Sequence, residues 1–316
     1  MRSSFFGLEI ARKALFTQQQ SLDITAHNIA NAGTKGYSRQ SGIHSATSPG
    51  LTFSLNRPTY AGLMGTGVEI QEIRRMRDSY IDSDFRDENQ ILGEWETKSE
   101  LLQKVEYIYN EPSDTGIRTV LDGFWNSFQE LSKTPESTPA RSLVYQRGVA
   151  LTDTINHTYS QLKKLQTQVN ESIEIKVRGI NSLSSQIGDI NDLIHKIEAS
   201  GDNANDLRDK RDLLVDELSK IVRINVHEDN RGMYTVSVSG AALVIGTENN
   251  QLEFDVNNLE SNIIFEGMGY ELIPNGGELK GLFNMRDDTI PKHLENLEKM
   301  AFALKEQVNA IHEEGY

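Results

Sequence analysis

Leu8, Leu15, Leu22 and Ile29 recur every seven residues along a proline-free stretch from Ser4 to about Asn31, which predicts a helix with one narrow apolar seam. The intervening seam positions are Ala11, Gln18 and Thr25, so a helix of ~26 residues with so thin a stripe is marginal alone and needs a partner. Asn31-Ala32-Gly33-Thr34-Lys35-Gly36-Tyr37 stops it, with glycines free to take positive φ. Residues 38 to about 75 lose the helical period. Ser48-Pro49-Gly50, Arg57-Pro58 and Gly62 through Gly67, then the alternating run Val68 to Ile73, read as extended arms and hairpins.

Helical period returns from Asp78 to Tyr109, carried by Ile81, Phe85, Leu92, Trp95, Leu102 and Tyr109. Glu111-Pro112-Ser113-Asp114 breaks it, and a helix with Val120, Leu121, Phe124, Trp125, Phe128 and Leu131 follows. Thr138-Pro139 reads as an N-cap and first-turn pair. From Ala140 to Ser200 no proline occurs, and Leu151, Ile155, Leu162, Leu165, Val169, Ile173, Val177, Ile180, Leu183, Ile187, Ile190, Ile194 and Ile197 keep helical spacing. That is one very long helix, or two broken near Gly179; unbroken, ~60 residues reach ~90 Å, which is rod architecture. A shorter helix opens at Asn205 and runs to about Lys220.

Strand alternation takes over at 221–274, in Ile221–Val226, Tyr234–Val238, Ala242–Ile245 and Asn262–Phe265, and helical period resumes after Pro274 with Pro291 near a helix start. The fold class is mainly α with a small β domain. The expected units are an N-terminal helix and turn at 1–45, an extended connector at 46–75, a long-helix body at 76–220 and 275–316, and a β insertion at 221–274.

Composition narrows the chemistry. The 316 residues are 37% hydrophobic and 7% aromatic, lean for one thick core and better suited to an elongated shape. A formal charge of −14 repels nucleic acid and anionic lipid, so no nucleic-acid partner is expected. The absence of cysteine removes disulfides and thiolate chemistry. No cleavable signal and no run of ~20 apolar residues is visible, so no membrane insertion is expected. The seven histidines are scattered without metal-ligand spacing, and no cofactor or metal is expected. Gly65-Thr66-Gly67 and Gly267-Met268-Gly269 each lack the third glycine of a dinucleotide loop. Ser160-Gln161-Leu162-Lys163 matches Ser-x-x-Lys without its companion motif. The Asp/Arg alternation over 206–212 reads as a solvated, dipole-matched helix start rather than an acid/base cluster. No catalytic residue is predicted.

Ser4-Phe5-Phe6-Gly7-Leu8-Glu9-Ile10-Ala11-Arg12-Lys13-Ala14-Leu15, followed by His27-Asn28-Ile29-Ala30-Asn31-Ala32-Gly33-Thr34-Lys35-Gly36-Tyr37, resembles the rod, hook and hook-associated axial proteins of the bacterial flagellum. Ser38-Arg39-Gln40, Asn110 to Asp114, Asn205-Asp206-Leu207, Arg211-Asp212, Leu218-Ser219, Ser239-Gly240, Leu243-Val244 and Gly277-Glu278-Leu279-Lys280-Gly281 look more like the hook-associated, junction-type members than like rod subunits or hook subunits, the latter being mainly β beyond their terminal helices. The resemblance covers essentially the whole chain. It implies a flagellin-like helical body and an N-terminal axial helix that pairs with a C-terminal helix. It further implies export through the flagellar type III apparatus, self-association in a ring or tube, and contact with the hook protein and a second hook-associated junction protein at the extracellular hook–filament junction. Family members normally continue past the equivalent of Asn309–Tyr316 into the helix that pairs with the first. Residues 1 to about 40 are therefore expected to be frayed, or docked on another chain or on the body. The expected assembly residues are the seam Leu8, Leu15, Leu22 and Ile29 and the turn Asn28, Asn31, Gly36, Tyr37, Arg39 and Gln40. The alternatives are a paralogous rod or hook subunit and an intracellular coiled-coil adaptor.

Overall fold

The computed structural model describes residues 5–48, 65–109 and 116–314. The break expected at Glu111-Pro112-Ser113-Asp114, and Pro49, Gly50, Arg57, Pro58 and Gly62 of the expected connector, lie outside these residues. Helix α1 runs Phe6–Ala30 and ends where the Asn31 backbone N–H and side-chain amide both donate to the His27 carbonyl, each at 3.1 Å. Gly36 takes φ +82° to turn the chain. Strands β1 (Gln40–Ala46) and β2 (Val68–Arg75) then pair antiparallel, with a register shift between Ile43 and His44. The hairpin lies along α1.

The body begins with α2 (Ser79–Tyr109) and α3 (Ile117–Lys133). Its spine is α4, Thr138–Glu198, an unbroken helix of 61 residues. One internal glycine costs only ~1 kcal/mol, too little to break a helix packed along its length, so Gly179 interrupts nothing. The N-cap falls one residue earlier than expected: Ser137 Oγ accepts the Ala140 N–H at 3.4 Å, and Pro139 occupies the first turn. Helix α5 (Asn205–Ile221) continues to the residue where a strand was expected to start. The sheets that follow are small and antiparallel. One has four strands, β3 (Asn225–Glu228), β4 (Tyr234–Val238), β5 (Ala241–Ile245) and β6 (Glu248–Asn249). The other has three, β7 (Leu252–Glu253), β8 (Ile263–Phe265) and β9 (Glu271–Leu272).

Helix α6 (Gly277–Asn284) passes through a π-turn, Met285–Thr289, into α7 (Ile290–Glu314). Pro291 falls in the first turn of α7, near a helix start as expected, although the π-turn joins α7 to α6 without a break. A proline removes one N–H and crowds the carbonyl four residues back, and a widened π-turn at that place relieves the conflict.

One core threads the body. Leu162, Val169, Ile173, Ile180, Ile187 and Ile194 of α4 are fully buried, against Val215 and Leu218 of α5, Val236 and Leu243 of the sheet, and Leu279 and Ile290 of the C-terminal helices. Helix α2 departs from its apolar pattern. Ile81, Phe85, Leu92 and Trp95 face solvent, whereas Gln90, Gly93, Glu94, Leu101 and Val105 face inward. Backbone approach decides this: a Cβ on Gly93 would stand 2.4 Å from the Lys220 carbonyl, and one on Gly281 of α6 would stand 2.9 Å from the Glu94 carbonyl. Glycine at these crossings draws α2 against α5 and α6, and the larger side chains are turned outward.

Candidate assembly surface and its charged joint

Helix α1 has two unlike faces. Ile10, Ala14, Thr17, Ser21, Ile24 and Asn28 turn toward the hairpin, and Thr17, fully buried, brings its hydroxyl within 2.9 Å of the Lys13 and Val68 carbonyls. Ser21 Oγ lies 3.1 Å from His44 Nε2 across the same contact. The four seam residues are on the other side. Leu8, Leu15, Leu22 and Ile29 are 70%, 73%, 69% and 73% exposed. The helix is therefore docked by its small and polar face and carries its most apolar stripe uncovered.

The turn residues serve a different place. Asn28 Oδ1 accepts from the Tyr37 hydroxyl and from the Gln40 N–H, both at 2.8 Å, while its amide donates to the Gln40 carbonyl at 2.9 Å. Gln40 Nε2 donates to Asp206 Oδ1 at 2.7 Å, and the Ser38 N–H to Asp209 Oδ2 at 2.9 Å. Gly36 lies so close to Leu213 that a Cβ would stand 3.1 Å from it. Asn31 caps α1 locally, and Arg39 is exposed, with its carbonyl accepting from the Met76 N–H at 2.8 Å. Asn28, Gly36, Tyr37 and Gln40 thus join α1 and the hairpin to α5, whereas the seam lies apart from them.

Beneath this turn is a buried ionic set. Arg75 Nη1 bridges Asp209 Oδ1 at 2.8 Å and Asp212 Oδ2 at 2.7 Å. Arg77 binds Asp82 at 2.7 Å, and Arg86 binds Asp216 at 2.8 Å. Tyr234 donates its hydroxyl to Asp212 Oδ1 at 2.7 Å, and the Arg211 guanidinium stacks 3.4 Å above its ring. Arg211 also donates to Asn191 Oδ1 at 2.9 Å and to the Gly232 carbonyl at 2.6 Å. The Asp/Arg alternation over 206–212 is therefore not the solvated surface its local pattern suggested: Asp209, Arg211 and Asp212 are buried. The correction has a physical reason. The countercharges of Asp209 and Asp212 come from β2, from α2 and from the segment between them, far away in sequence.

The charges are strongly coupled. Burial pushes the Asp212 carboxyl up, but Arg75 and Arg77, with hydrogen bonds from Arg75 and Tyr234, outweigh it and hold Asp212 below the usual aspartate range. Burial raises Asp216, which Arg86 and Arg77 do not fully offset. Tyr234 is pushed up to about 12 by burial and by Asp212. Sequence reasoning singled out neither Arg75, Arg77 and Arg86 nor Asn191 and Tyr234. One signal was present: Asp209, Asp212 and Asp216 fall on one helical face alternating with Val215 and Ser219, a spacing that marks an inward acidic face. Among the described residues no group of three or more His, Asp or Glu side chains could hold a metal ion, and no helix is long and apolar enough to cross a membrane.

The fold is a long helical body bearing an N-terminal helix with its apolar seam uncovered, and the family model described as flagella basal body rod protein matches residues 8–37, the α1 and turn segment. The chain belongs to the flagellar hook-associated protein FlgK family, whose helical-domain model matches residues 102–316. Flagellar hook-associated protein 1 of Bacillus subtilis (strain 168) is 38% identical over 273 residues, 86% of this chain and 52% of the relative. Flagellar hook-associated protein 1 of Salmonella typhimurium (strain LT2) is 30% identical over 319 residues, 97% of this chain and 56% of the relative. The solved structure of the flagellar hook junction protein FlgK from Burkholderia pseudomallei superposes with a TM-score of 0.52 at 28% identity, over 63% of this chain and 38% of that one. The chain spans about half the length of the curated relatives it matches.

Proposed function

We propose that this chain is a structural, non-catalytic subunit of the extracellular bacterial flagellum at the hook–filament junction. It is exported by the flagellar type III apparatus and polymerises on the hook tip so that the filament can assemble. The hook protein is its partner on one side and a second hook-associated junction protein on the other, with copies of itself around a ring or tube. Family membership supports the setting, and the exposed seam of α1 carries the reading. Four apolar side chains about 70% exposed on one stripe represent roughly 4 to 8 kcal/mol of burial still available to a partner helix, at ~1.5–3 kcal/mol for each fully buried side chain. The heptad interval suits a coiled-coil neighbour. Leu15→Asp tests it. Because Leu15 touches no core, the variant folds with unchanged helicity, yet it fails to assemble and leaves cells non-motile. Normal motility from Leu15→Asp refutes the role of the seam.

A further inference from the structure

The N-terminal unit, α1 with the β1–β2 hairpin, is seated on the body in an unexpected way. Among the described residues no hydrophobic side chain before Leu101 is buried, so the apolar core begins beyond the joint. What crosses the joint is mainly oxygen and nitrogen. Asp206 meets Gln40 and, at 3.4 Å, His27 Nε2; Asp209 meets the Ser38 N–H; Asn205 Nδ2 donates to the Ile73 carbonyl at 2.8 Å; and Arg75 bridges Asp209 and Asp212. Lys35–Glu217 is solvated on both sides and contributes little. Beside these contacts lies an open cleft of about 620 Å³, with Ile24, Ile70 and Ile73 of the unit on one side and Ile197 and Leu207 of the body on the other. Apolar side chains are at hand there, and the space between them is unfilled.

The body half of the joint stands without the hairpin. Asp212 is held by the Tyr234 hydroxyl and lies 3.5 Å from Arg77 and 3.6 Å from Arg86; Asp216 has Arg86; and Asn89 donates to the Asp216 carbonyl at 2.8 Å. Arg75 adds the one largely covered charge that β2 contributes, and its Nη1 engages both carboxylates at once. A charge held at two points in a buried site resists rotation in a way that solvated pairs do not.

We infer that Arg75 with Asp209 and Asp212 is a latch that sets the angle of the N-terminal unit on the body. Without it the unit swings about the short link between Arg75 and Ser79, and the cleft opens or closes, while both parts keep their folds. Among the contacts that cross the joint, this guanidinium is thus the one that chiefly fixes the direction in which the exposed seam points relative to the long body.

The chain contains no cysteine, so nitroxide labels on Gln19→Cys of α1 and Lys196→Cys of α4, both exposed, report the angle as a distance in the dilute full chain by pulsed electron paramagnetic resonance. The unsubstituted joint gives one narrow distribution. Arg75→Met keeps the stem and removes the charge, and the width of the distribution at least doubles with far-UV circular dichroism unchanged. Ile197→Ala, which trims the apolar side of the cleft, leaves the width as it was. A narrow distribution in Arg75→Met overturns the latch. So does a loss of helicity in that variant, because the body half is then not independent of Arg75. Equal broadening by Ile197→Ala overturns it as well, because apolar contact across the cleft would then be what holds the unit.

Discussion

Asp212 and Asp216 lie one turn apart on α5 and belong to one ionic set, yet their replacement by asparagine should have opposite consequences. Asp212 is 1% exposed, accepts from Arg75 and Tyr234 at 2.7 Å each, and has its carboxyl held low. Asp212→Asn preserves shape but leaves Arg75, Arg77 and Arg86 short of a countercharge in a buried place, a loss on the order of 3 kcal/mol. Asp216 is more open, and its carboxyl is held high because burial exceeds what Arg86 and Arg77 return. Its ionised form is disfavoured on folding, so Asp216→Asn costs under about 1 kcal/mol, or stabilises slightly. The two separate further with pH. A depressed carboxyl stabilises the fold at any pH above the ordinary aspartate value of about 3.9, and that contribution is lost only as pH falls through the lower folded value. The Asp212→Asn deficit should therefore be as large near pH 4.5 as near pH 7, windows set against that ordinary value. A raised carboxyl behaves in reverse: its penalty is present above the folded pKa and disappears as pH falls through it, so wild type and Asp216→Asn converge on acidification. Urea unfolding followed by far-UV circular dichroism at both pH values measures this. With a slope of about 3 kcal/mol per molar, a 3 kcal/mol loss moves the midpoint by about 1 M. Equal costs for the two variants, or an Asp212→Asn deficit that shrinks between the two pH values, would refute the assignment of Asp212 as the buried centre of the set.

Two further outcomes follow from packing. Gly277 takes φ +76°, and a Cβ there would stand 2.5 Å from the Ile221 carbonyl oxygen and 2.7 Å from the Val222 nitrogen; Gly277→Ala should lose about 3 kcal/mol or more in urea unfolding through combined strain and overlap, and a loss under about 1 kcal/mol would show that α6 can move away from the end of α5. Ile187 is fully buried at the middle of the core; Ile187→Ala should cost about 2–5 kcal/mol with no change in the spin-label width at the joint, and broadening there would mean that core and joint are not separate.

Much of the fold could be read from periodicity, because the long helices satisfy their spacing within themselves. The limits of α1, α4 and α5, the strand region and the turn at Gly36 follow from local rules. What could not be read is which way a stripe faces. The Leu8 to Ile29 seam, expected to need a partner, fits either core packing or contact with another helix by its spacing alone, and the Ile81 to Trp95 stripe looks like core; both are exposed. In α1 the hairpin takes the small and polar face; in α2 the glycines at 93 and 281 admit backbone in place of side chains. The ionic set was hidden for a related reason. The interleaved charges of Asp206 to Asp212 read as a surface, with only the helical face shared with Val215 and Ser219 pointing inward, because the countercharges of Arg75 and Arg86 stand more than 120 positions from Asp212.

The length of α4 gives the joint a mechanical significance beyond its few contacts. Ile197, at the C-terminal end of the helix, borders the cleft beside α1, while Thr138 begins the other end. The helix is a lever arm of roughly 90 Å at ~1.5 Å per residue. A rotation of about 5° at the joint then sweeps the far end through about 8 Å, more than the ~5.4 Å pitch of an α-helix and enough to shift side-chain ridges out of register with any surface they meet. Tolerances at the far end are thereby transferred to the root, where an error of a few degrees in seating one arginine becomes a misfit of a full helical turn.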